Sequence, residues 1–182
     1  MKPPPGKGNQ FRSMEIRYAT WDDIHGMGRV YVDTWKAAYQ GMIPKSYLDG
    51  LTYESWEERY RGRFSKMEGY HVAVLTDGDR VIGVTSFTRT RDRDLIETCG
   101  EIVSIYVLKE YWHQGLGKMM LEWAVKELKK LGFTDCVLWT LEENHRAQRA
   151  YERFGFMRDG ARQSQEFNGT AVWEIRYHMS IS

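Results

Sequence analysis

The stretch EIVSIYVLKEYWHQGLGK, residues 101–118, restricts the possible folds of this chain more than any other segment. Its first half is a nearly continuous apolar run, which is the pattern of a strand buried on both faces. Gly115 and Gly117 then free the backbone where an amphipathic helix begins. The first N–H groups of a helix have no partner inside it, and the macrodipole adds positive charge there. The stretch therefore predicts a strand, a turn and a helix N-terminus that cradles a phosphorylated ligand.

Two common phosphate-binding motifs do not fit this turn. A P-loop needs Gly-Lys followed by Ser or Thr, whereas Gly117-Lys118 is followed by Met119, and the earlier glycine of that motif is missing. A dinucleotide-binding turn needs a third glycine, which the segment QGLGKM does not supply. The turn therefore belongs to another kind of phosphate site, or to an ordinary strand-to-helix connection.

Length and composition indicate one globular domain. A chain of 182 residues can form a single domain with a substantial core, and a net charge of +1 with interspersed acids and bases does not favour a nucleic acid partner. Cys99 and Cys136 are too few for a disulfide framework or a zinc site, so we expect free thiols and no metal. Residues 1–13 read as a flexible tail or a remnant of cloning, and residues 14–182 as the folded domain.

The same composition indicates where the protein works. No apolar run approaches the roughly 20 residues of a membrane span, and the N-terminal segment lacks the apolar core of a signal peptide. We therefore expect a cytoplasmic protein with no membrane partner, as a monomer or a homodimer.

Hydrophobic periodicity predicts alternating helices and strands. The expected helices cover 20–39, 45–51, 53–64, 116–131 and 144–155, and the expected strands cover 15–19, 71–76, 80–91, 101–108, 134–141, 156–167 and 170–179. The strands at 101–108 and 134–141 are joined through a helix, so they should be parallel, whereas the other connections favour antiparallel pairs.

Two motifs and this element order resemble the GNAT superfamily of acyl-CoA-dependent N-acyltransferases. Trp112 to Gly117 resembles its pyrophosphate-binding signature Q/R-x-x-G-x-G/A, with Trp112 where the family usually has Gln or Arg. Residues 141–156 resemble its N-x-x-A-x-x-x-Y-x-x-x-G-F region. The resemblance covers residues 15–179. It implies a single-domain α/β (α+β) fold with a mixed, mostly antiparallel twisted sheet, a central parallel strand pair and helices on both faces.

The resemblance also implies acetyl-CoA as the cofactor. Main-chain groups of the buried strand would pair with the pantetheine arm, the glycine turn would hold the pyrophosphate, and the second motif would line the remainder. The residues implied in cofactor binding are Ile105, Tyr106, Val107, Trp112, His113, Gln114, Gly115, Leu116, Gly117, Lys118, Asn144, Ala147, Ala150 and Tyr151.

Tyr151 and Glu101 are the candidate catalytic residues. Helical spacing points Tyr151 inward, where the resemblance casts it as general acid to the leaving thiolate, although a core tyrosine is the simpler interpretation. Glu101 resembles a position that deprotonates the amine, with an ordinary ion-paired glutamate as the equal alternative; a bulge in the strand would decide which face it occupies. Asn144 could contact the cofactor's amide arm or cap a helix. Helical spacing sends Arg146, Arg149 and Glu152 to solvent.

The acceptor side is less determined by the sequence. Trp35 and Tyr39 share one helix face and are the candidate substrate-binding residues, as Trp56 and Tyr60 could be, although core packing explains each pair. The arginines at 89, 91 and 93 could meet a cofactor phosphate or solvent, and solvent is favoured. The resulting hypothesis is an N-acetyltransferase that moves an acetyl group from acetyl-CoA directly to a primary amine, with a small molecule favoured. The alternatives are a protein or peptide amine, at an N-terminus or a lysine, and a non-catalytic acyl-CoA sensor.

Overall fold

The computed structural model describes residues 14–66 and 68–182, so the expected tail at residues 1–13 lies outside the described part. The helices are α1 (Ile24–Ala38), α2 (Lys45–Asp49), α3 (Tyr53–Lys66), α4 (Leu116–Lys130) and α5 (His145–Phe154). The strands are β1 (Met14–Tyr18), β2 (His71–Asp77), β3 (Arg80–Arg89), β4 (Cys99–Val107), β5 (Asp135–Leu141), β6 (Met157–Phe167) and β7 (Thr170–Ser180). Short 3-10 turns precede α1 and follow β4.

The strands form one sheet in the order β1-β2-β3-β4-β5-β7-β6. Of the strand pairs that join these seven, only β4 and β5 are parallel, as the helical crossover between them predicted. The predicted fold class, a mixed and mostly antiparallel sheet with a central parallel pair, is confirmed.

The parallel pair is short because β4 carries a bulge. β4 and β5 pair only from Cys99 to Glu101, against Asp135 to Val137. On the other side of β4, Ser104 lies opposite Ser86 and Ile102 lies opposite Phe87, which leaves Val103 as the extra residue. A bulge of this kind bends the strand and resets the facing of its side chains. Beyond Glu101, β4 and β5 therefore separate, and a cleft opens between them.

The helices pack on the middle of the sheet. Both α1 and α4 contact β3 and β4. Close approach is made possible by glycines: Val81 of β3 fills the position that a Cβ on Gly26 would occupy, and the Met120 sulfur lies 2.8 Å from where a Cβ of Gly83 would stand. These contacts fix α4, and with it the glycine turn at its start, against the strands that border the cleft.

Two smaller expectations concern the start of the first helix and the state of the two cysteines. The helix expected from residue 20 begins as a 3-10 turn at Trp21–Asp23 and becomes α-helical only at Ile24. Cys99 and Cys136 lie inside β4 and β5, where both are buried as free thiols.

Within residues 14–66 and 68–182, no helix is both long and apolar enough to cross a membrane.

Candidate active site

A cavity of about 870 Å³ occupies the cleft between β4 and β5. It extends from the glycine turn at the start of α4, past β4 and α5, to the aromatic side chains of α1 and α3. This volume lies within the range of typical ligand sites. One cavity thus connects the predicted phosphate cradle with the predicted substrate residues.

The two glycines of the turn suit their positions for different structural reasons. Gly115 has φ +78°, a left-handed conformation in which a side chain is strained. Gly117 has no positive φ, and a Cβ there would have nothing within 4 Å. Since the protein itself leaves room at Gly117, its missing side chain keeps the helix N-terminus open to the cavity. The turn has the geometry that a phosphate cradle requires.

Trp112, which stands where the signature usually has Gln or Arg, makes two contacts. Its indole N–H donates a 2.7 Å hydrogen bond to the carbonyl of Val107. The Arg146 guanidinium lies 3.7 Å from the centre of its ring, a favourable cation–π contact. The tryptophan therefore ties the turn to the end of β4 and brings a positive charge from α5 into the cavity wall.

This arrangement adds contacts that the sequence did not indicate. Arg146 is exposed as expected, but it also stacks on Trp112 and lines the cavity, where burial lowers its pKa. Glu152 is exposed as expected and accepts a hydrogen bond from the Tyr177 hydroxyl.

All but one of the predicted site residues line this cavity. The exception is Gln114, whose side-chain amide turns back to the Glu110 carbonyl. The carbonyl of Val107, expected to pair with the pantetheine arm, accepts hydrogen bonds from Trp112 and Thr34 instead. The residues brought together are Trp35, Tyr39, Glu101, Ile105, Tyr106, Val107, Trp112, His113, Gly115, Leu116, Gly117, Lys118, Asn144, Ala147, Ala150 and Tyr151.

Tyr151 faces the cavity from α5. Its ring contacts Phe156 and Tyr177, which hold it in place. Burial raises its pKa to about 12, and Arg146 acts in the opposite direction. The phenol is therefore protonated at neutral pH and can donate a hydrogen bond. Asn144 caps α5 by accepting a hydrogen bond from the N–H of Ala147, so the capping role predicted for it is present.

Glu101 is 2% exposed and lies at the cavity wall. Arg91 donates to it from its backbone N–H, its Nε and its Nη2. Arg91, expected in solvent, is largely exposed but also pairs with Glu101, because the segment between β3 and β4 folds back over the site. The ion pair fixes the orientation of the Glu101 carboxylate.

Aromatic rings form a continuous wall on the acceptor side of the cavity. Tyr31 stacks on Trp35 at 4.8 Å and also stacks on Trp56. Trp35 meets Tyr39 edge to face at 4.9 Å. These four residues, which we call the aromatic wall, all line the cavity. The residues of the aromatic wall therefore pack against one another and line the cavity at the same time, so core packing and substrate binding do not exclude each other as interpretations.

Glu174 is a cavity residue that sequence reasoning missed. Its Oε2 accepts hydrogen bonds from Gln163 and Gln165, while its Oε1 accepts none and is not enclosed by protein. Burial raises its pKa, against the effect of the two glutamines. No sequence signal distinguishes Glu174 from other strand residues, because its facing depends on the pairing of β7 with β5 and β6.

A phosphate-cradling turn, a separated strand pair and a buried phenol in one cavity define an enzyme class that transfers a group from a phosphorylated carrier. The model of the acetyltransferase (GNAT) family matches residues 26–156. The chain belongs to this family, and it is an N-acetyltransferase by class.

Known proteins of this family resemble the chain over most of its length. The uncharacterized N-acetyltransferase YuaI of Bacillus subtilis is 33% identical over 71% of this chain and 72% of its own. The spermidine N(1)-acetyltransferase of Thermoplasma acidophilum is 26% identical over 79% of this chain and 88% of its own. The solved structure of the PaiA N-acetyltransferase from T. acidophilum, in complex with coenzyme A, superposes with a TM-score of 0.73 at 22% identity, covering 92% and 99% of the two chains.

Proposed function

We propose that this protein transfers an acetyl group from acetyl-CoA directly to the primary amine of a small molecule. The observation that carries the proposal is the single cavity that joins the glycine turn, Tyr151 and the aromatic wall. The turn suits a pyrophosphate, and the residues around it fit coenzyme A, since Gly117 leaves open space and Lys118 and Arg146 add positive charge. The acceptor side is a cavity walled by aromatic side chains, which suits a small molecule better than a protein chain.

The transfer would proceed without a covalent enzyme intermediate. The amine nitrogen attacks the thioester carbonyl carbon, a C–N bond forms, and the C–S bond breaks. The amine gives up its proton to a carboxylate of the cavity or to water, and the leaving thiolate receives a proton from Tyr151, which regains one from solvent. A phenol with a pKa of about 12 donates to a thiolate only at some cost, so its main contribution is a hydrogen bond to the developing charge.

Glu101 keeps both of its proposed roles within this mechanism. It can accept the amine proton through water, and it can hold Arg91 in place at the same time. Its three hydrogen bonds from Arg91 leave part of its acceptor capacity free. A direct contact between Glu101 and the amine is not needed for either role.

The decisive experiment compares binding with turnover for the wild type and Tyr151→Phe. We expect tight acetyl-CoA binding in both proteins and release of free CoA by the wild type with a panel of amines. The variant should lose about 100-fold or more in kcat, since a positioned proton donor is worth that much. Tight binding with no turnover on any amine would support a non-catalytic acyl-CoA sensor, and turnover restricted to peptides would support a protein acetyltransferase.

Gly117→Leu and Gly115→Ala test the cradle separately. Gly117→Leu should weaken acetyl-CoA binding without destabilising the fold, because its side chain meets open cavity space and leucine favours a helix. Gly115→Ala should cost about 1–2 kcal/mol of folding free energy through its left-handed backbone. Calorimetric titration with acetyl-CoA and urea unfolding measure the two effects. Unchanged affinity in Gly117→Leu would remove the basis for the cradle.

A further inference from the structure

Two arginines of α3 line the cavity, and no acidic side chain of the described residues pairs with either of them. The guanidinium groups of Arg59 and Arg63 lie 4.8 Å and 5.9 Å from the centre of the Trp56 ring. Arg63 also lies over Tyr60 and Tyr70. Both arginines line the cavity. Among residues 14–66 and 68–182, neither guanidinium group forms a hydrogen bond or an ion pair.

The sequence of α3 explains why these charges stay uncompensated. Among the described residues of α3, the neighbours three and four positions from either arginine are not acidic: they are Ser55, Trp56, Tyr60, Gly62, Lys66 and the other arginine. Two like charges four positions apart on a helix repel each other. The pair is thus mildly unfavourable in the free protein, and an anion bound between the two guanidinium groups would relieve that repulsion.

The aromatic wall connects the arginine pair to the reaction centre. It runs from Trp56, beneath the arginines, through Tyr31 and Trp35 to Tyr39. Glu174 lies opposite Leu141, at the end of β5 that leads into α5 and so to Tyr151. Tyr39 is the member of the aromatic wall on this side: burial raises its pKa well above the ordinary value, and Tyr106, Tyr151 and Glu174 act in the same direction. Glu174 therefore lies on the α5 side of the cavity, whereas the arginines lie on α3 beside Trp56.

We propose that the acceptor is an amphoteric small molecule: its amine lies at the Glu174 end, and an oxyanion, such as a carboxylate, binds Arg59 and Arg63. This inference rests on the proposed function and names the substrate class for it. The apolar part of the molecule packs along the aromatic wall. Arginine suits the anion because its planar group binds carboxylate or phosphonate oxygens in pairs.

The same charges disfavour a polyamine. A polyamine would place a second ammonium group at the far end of the wall, beside two unpaired guanidinium groups. Like charges in such contact cost free energy, and within residues 14–66 and 68–182 neither guanidinium group has a carboxylate partner that would offset it. The chain should therefore differ in specificity from the spermidine acetyltransferase that it resembles.

A matched set of acceptors tests the proposal. Hexylamine, aminocaproate and hexamethylenediamine share one carbon chain and differ only in the distal group, which is neutral, anionic or cationic. For the wild type we expect the highest kcat/KM with aminocaproate and the lowest with hexamethylenediamine. Preference for the diamine would overturn the inference.

Charge variants of the arginine pair provide the second arm. Arg59→Gln/Arg63→Gln should lose about 10- to 100-fold in kcat/KM for aminocaproate, the value of a charge-assisted hydrogen bond, and less than about threefold for hexylamine. Arg59→Glu/Arg63→Glu should shift the preference to the diamine. Arg61→Gln is the control, since Arg61 is exposed on the same helix and does not line the cavity. Equal losses with all three amines would show a structural role only and overturn the proposal.

Binding measured without turnover separates this inference from the proposed function. Aminocaproate and hexylamine are titrated calorimetrically into the protein saturated with free CoA. Tighter binding of aminocaproate, lost in Arg59→Gln/Arg63→Gln, supports the anion site even if no amine is acetylated, in which case the proposed function fails alone. Equal binding of the two amines contradicts the anion site. Glu174→Gln should weaken both amines alike, because Glu174 lies at the amine end.

Discussion

Arg176 and the Arg59/Arg63 pair show two opposite uses of the same side chain. Arg176 of β7 is 5% exposed and bonds three carboxylates, those of Asp92, Asp94 and Asp159. Arg59 and Arg63 rest on aromatic rings and bond no carboxylate within the described residues. A buried charge with all its partners supplied by the protein holds the fold together. A charge left without partners in a cavity contributes little to the fold and remains available to a ligand.

The ion pairs of Arg176 with Asp92, Asp94 and Asp159, which we call the Arg176 cluster, also stabilise the active site indirectly. Asp92 and Asp94 belong to the segment between β3 and β4, which carries Arg91 to Glu101. The Trp139 indole donates to Asp92 as well, which tightens the same segment. Fixed charges on β6 and β7 thereby hold a loop over the cavity.

The largest expected effect is that of Arg176→Met on stability. Removing the cation leaves three carboxylates facing one another, and breaking a buried ion pair in this way costs about 3 kcal/mol. Urea unfolding of the variant, with Arg149→Met as the surface control, measures the difference. A loss below about 0.5 kcal/mol, the range of ordinary surface changes, would break the comparison.

The cluster should also make this difference depend on pH. The hydrogen bond from Arg176 holds the pKa of Asp94 below its ordinary value, so the stabilisation is present above that value and is lost as the pH falls. In Arg176→Met the carboxylates repel one another at neutral pH, and their protonation in acid removes this repulsion. The stability gap between the two proteins should therefore narrow from about pH 5 to about pH 3. Chemical unfolding at several pH values measures the gap, and a gap that widens in acid would contradict this account.

Arg91 should give an intermediate effect. It is largely exposed, but its partner Glu101 is 2% exposed, so Arg91→Met leaves a buried carboxylate unpaired. We expect a loss of about 2 kcal/mol in the free energy of unfolding, together with lower activity. Arg89→Met is the matched control, since Arg89 pairs only at the surface with Glu97. Equal stability of the two variants would show that Glu101 does not depend on Arg91.

The smallest expected effect is that of Arg59→Gln or Arg63→Gln on stability. Each variant loses a cation–π contact but relieves like-charge repulsion, so the free energy of unfolding should change by less than about 1 kcal/mol. Urea unfolding of each variant without ligand provides the test. A loss as large as that of Arg176→Met would mean that these arginines are structural, and the distinction drawn above would fail.

Much of the fold follows from local sequence patterns. Periodicity placed each described helix and strand within a few residues, and the crossover between β4 and β5 predicted the parallel pair. The site was predictable where it depends on local geometry: the glycines of the turn free the backbone at the start of α4, and Tyr151 faces the cavity from its helix. The contacts of Arg91, Arg146 and Glu174 could not be predicted, because their partners lie on other strands or in another turn.

The sequence by itself determined the strand, the glycine turn and the helix N-terminus, because these depend on neighbouring residues and on backbone conformations that only certain side chains allow. Only the tertiary structure decided which charges are compensated. Arg176 meets three carboxylates, whereas Arg59 and Arg63 meet none among the described residues. This difference depends on which segments the sheet and the bulge at Val103 bring together. The electrostatic interaction of two groups depends on their distance and burial in space, and neither quantity can be read along the chain.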